Sequence, residues 1–274
     1  MATVLSRTHG YAHAAARRRS AALSFLGCGA VGAALVVALS RAIPLDWHFG
    51  VASAAVYLGI ACVALTRVSG HHAGPRFGLA NQITTLRAAL TSLFGGLGTM
   101  TQTVTADSAW LWVFALLGAL ALALDGVDGW LARRLGLASK FGARYDMEID
   151  ALLIALLSLL AWRLGKAGPW VLAIGGMRYG FIAAAAVLPW LRGQLPDSTR
   201  RKTICVVQGS VLCALLAPPL LGIWSQLLAG AALTMLALSF ATDVCWLWRH
   251  ARRGVSVSGH ADLGASSHQG PQPR

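Results

Sequence analysis

Apolar runs recur along the whole chain, at positions 21–40, 50–66, 81–104, 108–131, 143–162, 169–190, 203–222 and 225–248. A helix of roughly 20 residues rises about 30 Å, the thickness of a bilayer's hydrocarbon core. Backbone polar groups find no water there, so each run must satisfy its own hydrogen bonds, and helices do so. The sequence therefore predicts an all-α polytopic membrane protein. Composition agrees: 56% of residues are hydrophobic and 12% charged, where a soluble domain carries about 25% charged residues. Membrane β-strands read as short alternating segments, unlike these continuous stretches rich in Leu, Ala and Gly.

The formal charge is +13. Its distribution points to topology rather than to nucleic acid, which is not expected as a partner. Basic residues gather at one set of helix ends: Arg17–Arg19, Arg67 and Arg76, Arg133 to Arg144, Arg192 to Lys202, and Arg249 to Arg253. The other ends hold only Arg41, Arg163 and Lys166. Under the positive-inside rule both termini lie in the cytoplasm, in a bacterial-type inner (plasma) membrane. Trp47, Trp110, Trp112, Trp162, Trp170 and Trp224 fall at the outer ends and Trp130, Trp190, Trp246 and Trp248 at the inner ends, as an aromatic belt requires. Arg17–Arg19 followed by Ala21–Ser40 has the order of a signal peptide, but the apolar run exceeds a typical signal core and reads as a first span. The five cysteines all lie in apolar runs without a CxxC pair and read as small hydrophobes. Residues 250–274, rich in Gly, Ser, His and Pro, read as a disordered cytoplasmic tail.

Five of the ten acidic residues fall between positions 125 and 150. An Asp at the centre of a span costs roughly 2.5–3.5 kcal/mol, and converging carboxylates also repel, so such a cluster implies a bound cation. Around a helix at 100° per residue, Asp128 lies about 60° from Asp125, while Gly129 and Ala132 lie within about 40° of it. Two carboxylates and two minimal side chains thus share one face. Asp146 and Asp150, four residues apart on the next span, share another. Hard oxygen ligands suit Mg²⁺ or Mn²⁺, and two such ions can clamp a diphosphate. Glu148 points about 200° away from Asp146 and reads as structural or exposed.

The run Asp125-x-x-Asp128-Gly129-x-x-Ala132-Arg133, then eight residues, then Gly142-x-x-x-Asp146-x-x-x-Asp150 resembles the signature of the CDP-alcohol phosphotransferase (phosphatidyltransferase) family at every fixed position. The resemblance implies a six-helix catalytic core over residues 78–249, usually homodimeric. Residues 1–77 would add a basic N-terminus and two extra transmembrane helices. It also implies that Asp125, Asp128 and Asp146 hold two divalent cations and the donor diphosphate. Asp150 would be a further metal neighbour and the general base. Gly129, Ala132, Arg133 and Gly142 would border the CDP moiety. Asn81, Thr84 and Arg87 at the start of the third span resemble the opening of the family's first core helix, which implies a place near the donor. The implied reaction moves a phosphatidyl group from a CDP-alcohol, CDP-diacylglycerol for a site among membrane lipids, to a hydroxyl acceptor with release of CMP.

Acceptor recognition falls on Arg178, Lys202 and Arg144. Arg178 sits at mid-span and needs either an anionic acceptor or a carboxylate such as Asp243. Lys202-Thr203…Gln208 resembles a motif of members that use glycerophosphate, with the Gln displaced by two residues. Pro218-Pro219 is expected to kink the seventh span. Two other functions also use membrane carboxylates. A cation transporter would show internal repeats, and a prenyl diphosphate transferase would need a second Asp-rich helix pair. The chain offers one acidic hairpin.

Overall fold

The computed structural model describes residues 2–68, 77–100, 104–134, 139–193, 195–196 and 198–264. Eight α-helices follow in order: α1 (Ala2–Ala42), α2 (Trp47–Arg67), α3 (Leu79–Leu97), α4 (Leu111–Arg134), α5 (Lys140–Arg163), α6 (Leu172–Val187), α7 (Thr199–Leu216) and α8 (Ile223–Gly264). Short 3-10 turns at Pro169–Val171 and Pro189–Arg192 flank α6. No strand occurs among the described residues. Every predicted span has its helix, and the chain is an all-α polytopic membrane protein.

The helices divide by what they face. Arg18–Ala42, Trp47–Arg67, Pro169–Val187 and Ile223–Arg252 are long and apolar enough to cross a membrane, and Leu111–Val127 is a shorter apolar helix. By contrast α3 carries Asn81, Thr84, Thr85, Arg87, Thr91 and Ser92, all buried. It packs against α1, α2, α4 and α5 at once, so its polar groups face protein rather than lipid. Thr85 donates to the Asn81 carbonyl (2.8 Å) and Ser92 to the Ala89 carbonyl (2.7 Å), satisfying the hydroxyls within the helix.

Small residues let the helices approach closely, as in other membrane bundles. A Cβ on Gly96 would lie 2.6 Å from the Phe49 carbonyl oxygen of α2. On Gly175 it would lie 2.5 Å from Ala155 Cα of α5. Phe94 of α3 meets Phe114 of α4 edge-on, with ring centroids 6.3 Å apart. Arg87, seven residues earlier, bonds the Ala121 carbonyl, seven residues later on α4. The two helices are therefore antiparallel.

Two apolar clusters result. The larger joins α3, α4, α5, α7 and α8 with the end of α1 and the start of α2. The smaller, at the opposite end, is aromatic: Phe25 of α1, Phe77, and Phe141 and Tyr145 of α5. Phe25 lies 5.9 Å from Phe77 and 6.1 Å from Tyr145, ring centre to ring centre.

One expectation changes. Pro218-Pro219 end α7 instead of kinking it. The helix stops at Leu216 and Ala217 is extended (φ −62°, ψ 131°), because proline disfavours helical backbone in the residue before it and lacks an N–H. Helix α8 runs to Gly264. Along it Trp246 stacks on His250, and Arg252 lies over the Trp248 ring at 3.8 Å. Residues 265–274 lie outside the described residues.

Candidate active site

Three helices deliver charged groups to one point. On α4, Asp125 lies near the end of the helix. On α5, Asp146 and Asp150 lie one turn apart on a shared face. Carboxylate oxygens of Asp125, Asp146 and Asp150 all lie within 4.8 Å of one another. Each side chain is about one quarter exposed, at 28%, 32% and 21%. The side chains of Asp128, Ala132 and Arg133 lie outside the described residues, although their backbone belongs to α4.

The counter-charge comes from α3. Arg87 is fully buried. Its Nε donates to the Ala121 carbonyl at 3.0 Å. Its Nη1 lies 3.0 Å from Asp125 and also pairs with Asp146, and its Nη2 pairs with Asp150. A guanidinium keeps its charge at any ordinary pH and offers five N–H donors in a rigid plane. One side chain can therefore hold carboxylates from two helices. A snorkelling arginine would have reached water; this one turns inward because two helices present carboxylates to it.

Gly142 sits where α5 begins. Ser139 caps the helix by accepting from the Gly142 N–H at 2.9 Å. A Cβ on Gly142 would lie 2.6 Å from Asn81 Oδ1, so the missing side chain lets α3 and α5 close up at the carboxylate end. Asn81 is buried and donates from Nδ2 to the Phe77 carbonyl (2.7 Å). Thr84 is buried one turn further along and donates to the Ala80 carbonyl (3.1 Å). Gly129 is partly exposed on α4.

The candidate acceptor residues are placed differently. Arg178 of α6 pairs with Glu148 at 3.0 Å. The expected partner Asp243 is instead held by Arg200 (2.5 Å) and Arg201 (3.4 Å). Glu148 points to the α6 side of α5, away from the carboxylate group, as its helical phase requires. Lys202 and Arg144 are exposed on α7 and α5. Helix α7 contributes Cys205 and Val206, which with Leu122, Asp125, Asp150 and Ile154 line a cavity of about 20 Å³.

Three oxygen-only ligands from two helices, partly exposed, form the donor set that Mg²⁺ or Mn²⁺ prefers. The residues fit a divalent cation, with a guanidinium as their present partner. Arg87 thus supplies from within the protein one cation of the kind such a cluster implies. The signal in the sequence was the recurrence of Asn81, Thr84 and Arg87 at three-residue steps, which put a charge in the third turn of an apolar span.

Residues 77–244 match the family model of CDP-alcohol phosphatidyltransferases. That stretch covers more than half of the chain and runs from just before α3 into α8. No curated protein and no solved structure matches the chain.

Proposed function

The chain belongs to the CDP-alcohol phosphatidyltransferase family, and from that premise we propose that it transfers a phosphatidyl group from CDP-diacylglycerol to a hydroxyl acceptor in a divalent-metal-dependent reaction. The acceptor oxygen forms a bond to the phosphorus nearest the diacylglycerol. The bond from that phosphorus to the CMP oxygen breaks, and CMP leaves with the electron pair. The acceptor proton passes to the Asp150 carboxylate as general base. Asp125, Asp128 and Asp146, with Asp150 beside them, would hold Mg²⁺ or Mn²⁺, two ions in the complete site. When bound, such ions supply positive charge to the diphosphate and to the leaving phosphate oxygen.

The chain's own part is positioning. Asp125 and the Asp146–Asp150 pair stand on separate helices that α3 holds together, so the ligands are preorganised. Asn81, Thr84, Gly129, Ala132, Arg133 and Gly142 border the nucleotide of the donor, on surfaces kept small where the backbone must come close. Lys202 and Arg144, exposed and basic, are the candidates for an acceptor bearing phosphate. Arg178 is engaged by Glu148 and would have to exchange that partner to take the same role. The site faces the cytoplasm of a bacterial-type inner membrane, because the carboxylates share their helix ends with most of the arginines. The working unit is a homodimer.

The observation that carries this proposal is the meeting of Asp125, Asp146 and Asp150 oxygens within 4.8 Å, inside the family-matched segment. The test is CMP release by the purified protein supplied with CDP-diacylglycerol, Mn²⁺ and a panel of acceptor alcohols. Activity should require the metal and vanish in Asp125→Ala and Asp128→Ala. Metal-independent release, or activity surviving both substitutions, would refute it.

A further inference from the structure

We propose that Arg87 is a built-in cation of the carboxylate site, so that the site alone takes up one divalent cation and receives a second only together with the anionic donor. This rests on the metal-dependent function proposed above.

Charge balance is the first ground. The four carboxylates assigned to the metals carry four negative charges, and Arg87 returns one positive charge, paired with the three that are placed. Three negative charges remain, so one divalent cation leaves a single negative charge. A second ion would leave net positive charge in a protein interior between membrane helices, where uncompensated charge is costly. A diphosphate diester brings the negative charge that removes this cost.

Geometry is the second ground. Arg87 is wholly buried and anchored through Nε to a backbone carbonyl of α4, so its charge is fixed at the meeting point. It keeps its proton at any ordinary pH. The cavity bounded by Asp125, Asp150 and Cys205 is about 20 Å³, room for one occupant the size of a water. Arg87 is thus a positioning residue: it keeps the ligands together and sets how many ions they accept.

The experiment counts ions. Full-length purified protein is titrated with Mn²⁺, and free Mn²⁺ is followed by its paramagnetic resonance signal. Wild type should bind one ion per chain without nucleotide, and two with CDP-diacylglycerol present and no acceptor. Arg87→Met should bind two without nucleotide, the first about tenfold tighter or more, because a like charge a few ångströms away is gone. Arg87→Lys should keep the single-ion count. Two ions on the wild type without nucleotide, or an unchanged count in folded Arg87→Met, would overturn the inference. So would loss of Mn²⁺ uptake in folded Arg87→Met. If that variant does not fold, the wild-type counts decide alone. Failure of CMP release with the wild-type and variant contrast intact would remove only the reaction. Intact CMP release without that contrast would remove only the role of Arg87.

Discussion

Two cations are buried at opposite ends of the bundle, and they are neutralised in different ways. Arg87 at one end is surrounded by carboxylates from α4 and α5. Lys166, just beyond the far end of α5, donates from Nζ to three backbone carbonyls, Ala217 (3.0 Å), Pro218 (3.4 Å) and Leu220 (3.1 Å). Both side chains are fully buried. Carbonyls carry partial charges and cannot leave, so Lys166 is a permanent cap on the turn in which Pro218-Pro219 end α7. Carboxylates outnumber Arg87, so that end keeps a surplus of negative charge that other cations can share. Burial alone does not distinguish a structural cation from a functional one; the charge left over does.

Removing the surplus should have the largest effect. Asp146→Asn keeps the shape but deletes one charge, and CMP release should fall by about 100-fold or more if electrostatic stabilisation carries the chemistry. Residual activity within a few fold of wild type would erase the functional contrast between the two ends. Next in size is Lys166→Met, which leaves three carbonyls without their donor. Unfolding in detergent should show a loss of about 1–3 kcal/mol, with turnover per folded molecule unchanged. A fall in turnover at equal stability would show that the far end is coupled to the chemistry.

A pH series sharpens the same comparison. Burial pushes the Lys166 ammonium below its ordinary range, with the Asp107 carboxylate opposing the shift. The folded chain therefore releases this proton at lower pH than the unfolded chain does. Between the two values the unfolded chain binds more protons, so stability from this group rises as pH rises through that window. Compared by thermal unfolding from about pH 8 to about pH 10.5, wild type should gain on Lys166→Met. A constant gap would mean that burial does not perturb Lys166. The smallest effect belongs to Glu148→Gln. The amide oxygen can still accept from Arg178 as the carboxylate does, so the change should cost about 1 kcal/mol. Activity should be retained, unless Arg178, once released, takes up the acceptor.

The eight helices were legible because each apolar run has the length of a bilayer crossing, and the carboxylate group because its spacing fixes the face of each helix. Helical phase also placed Glu148 away from Asp146, but phase cannot say which neighbour waits there, and Asp243 was the wrong choice for Arg178. Arg87 shows the same limit. Its own helix registers it one turn after Thr84, while its partners come from α4 and α5 and depend on how three helices cross. Cys205 and Val206 of α7 were hidden for the same reason, as ordinary apolar residues brought to the cavity by packing. Pro218-Pro219 announce an interruption, and whether a helix bends or stops there depends on what receives the free carbonyls. Lys166 receives them.

The smaller aromatic cluster has a practical consequence. Phe25 reaches Tyr145, the residue before Asp146, and Tyr57 of α2 donates to the Phe25 carbonyl at 2.6 Å. A protein begun at residue 77 would keep every carboxylate of the family segment, yet one wall beside them would open to lipid. Trimming this enzyme to its family-matched portion is therefore not a neutral simplification, and the first two helices belong in any preparation meant to measure its chemistry.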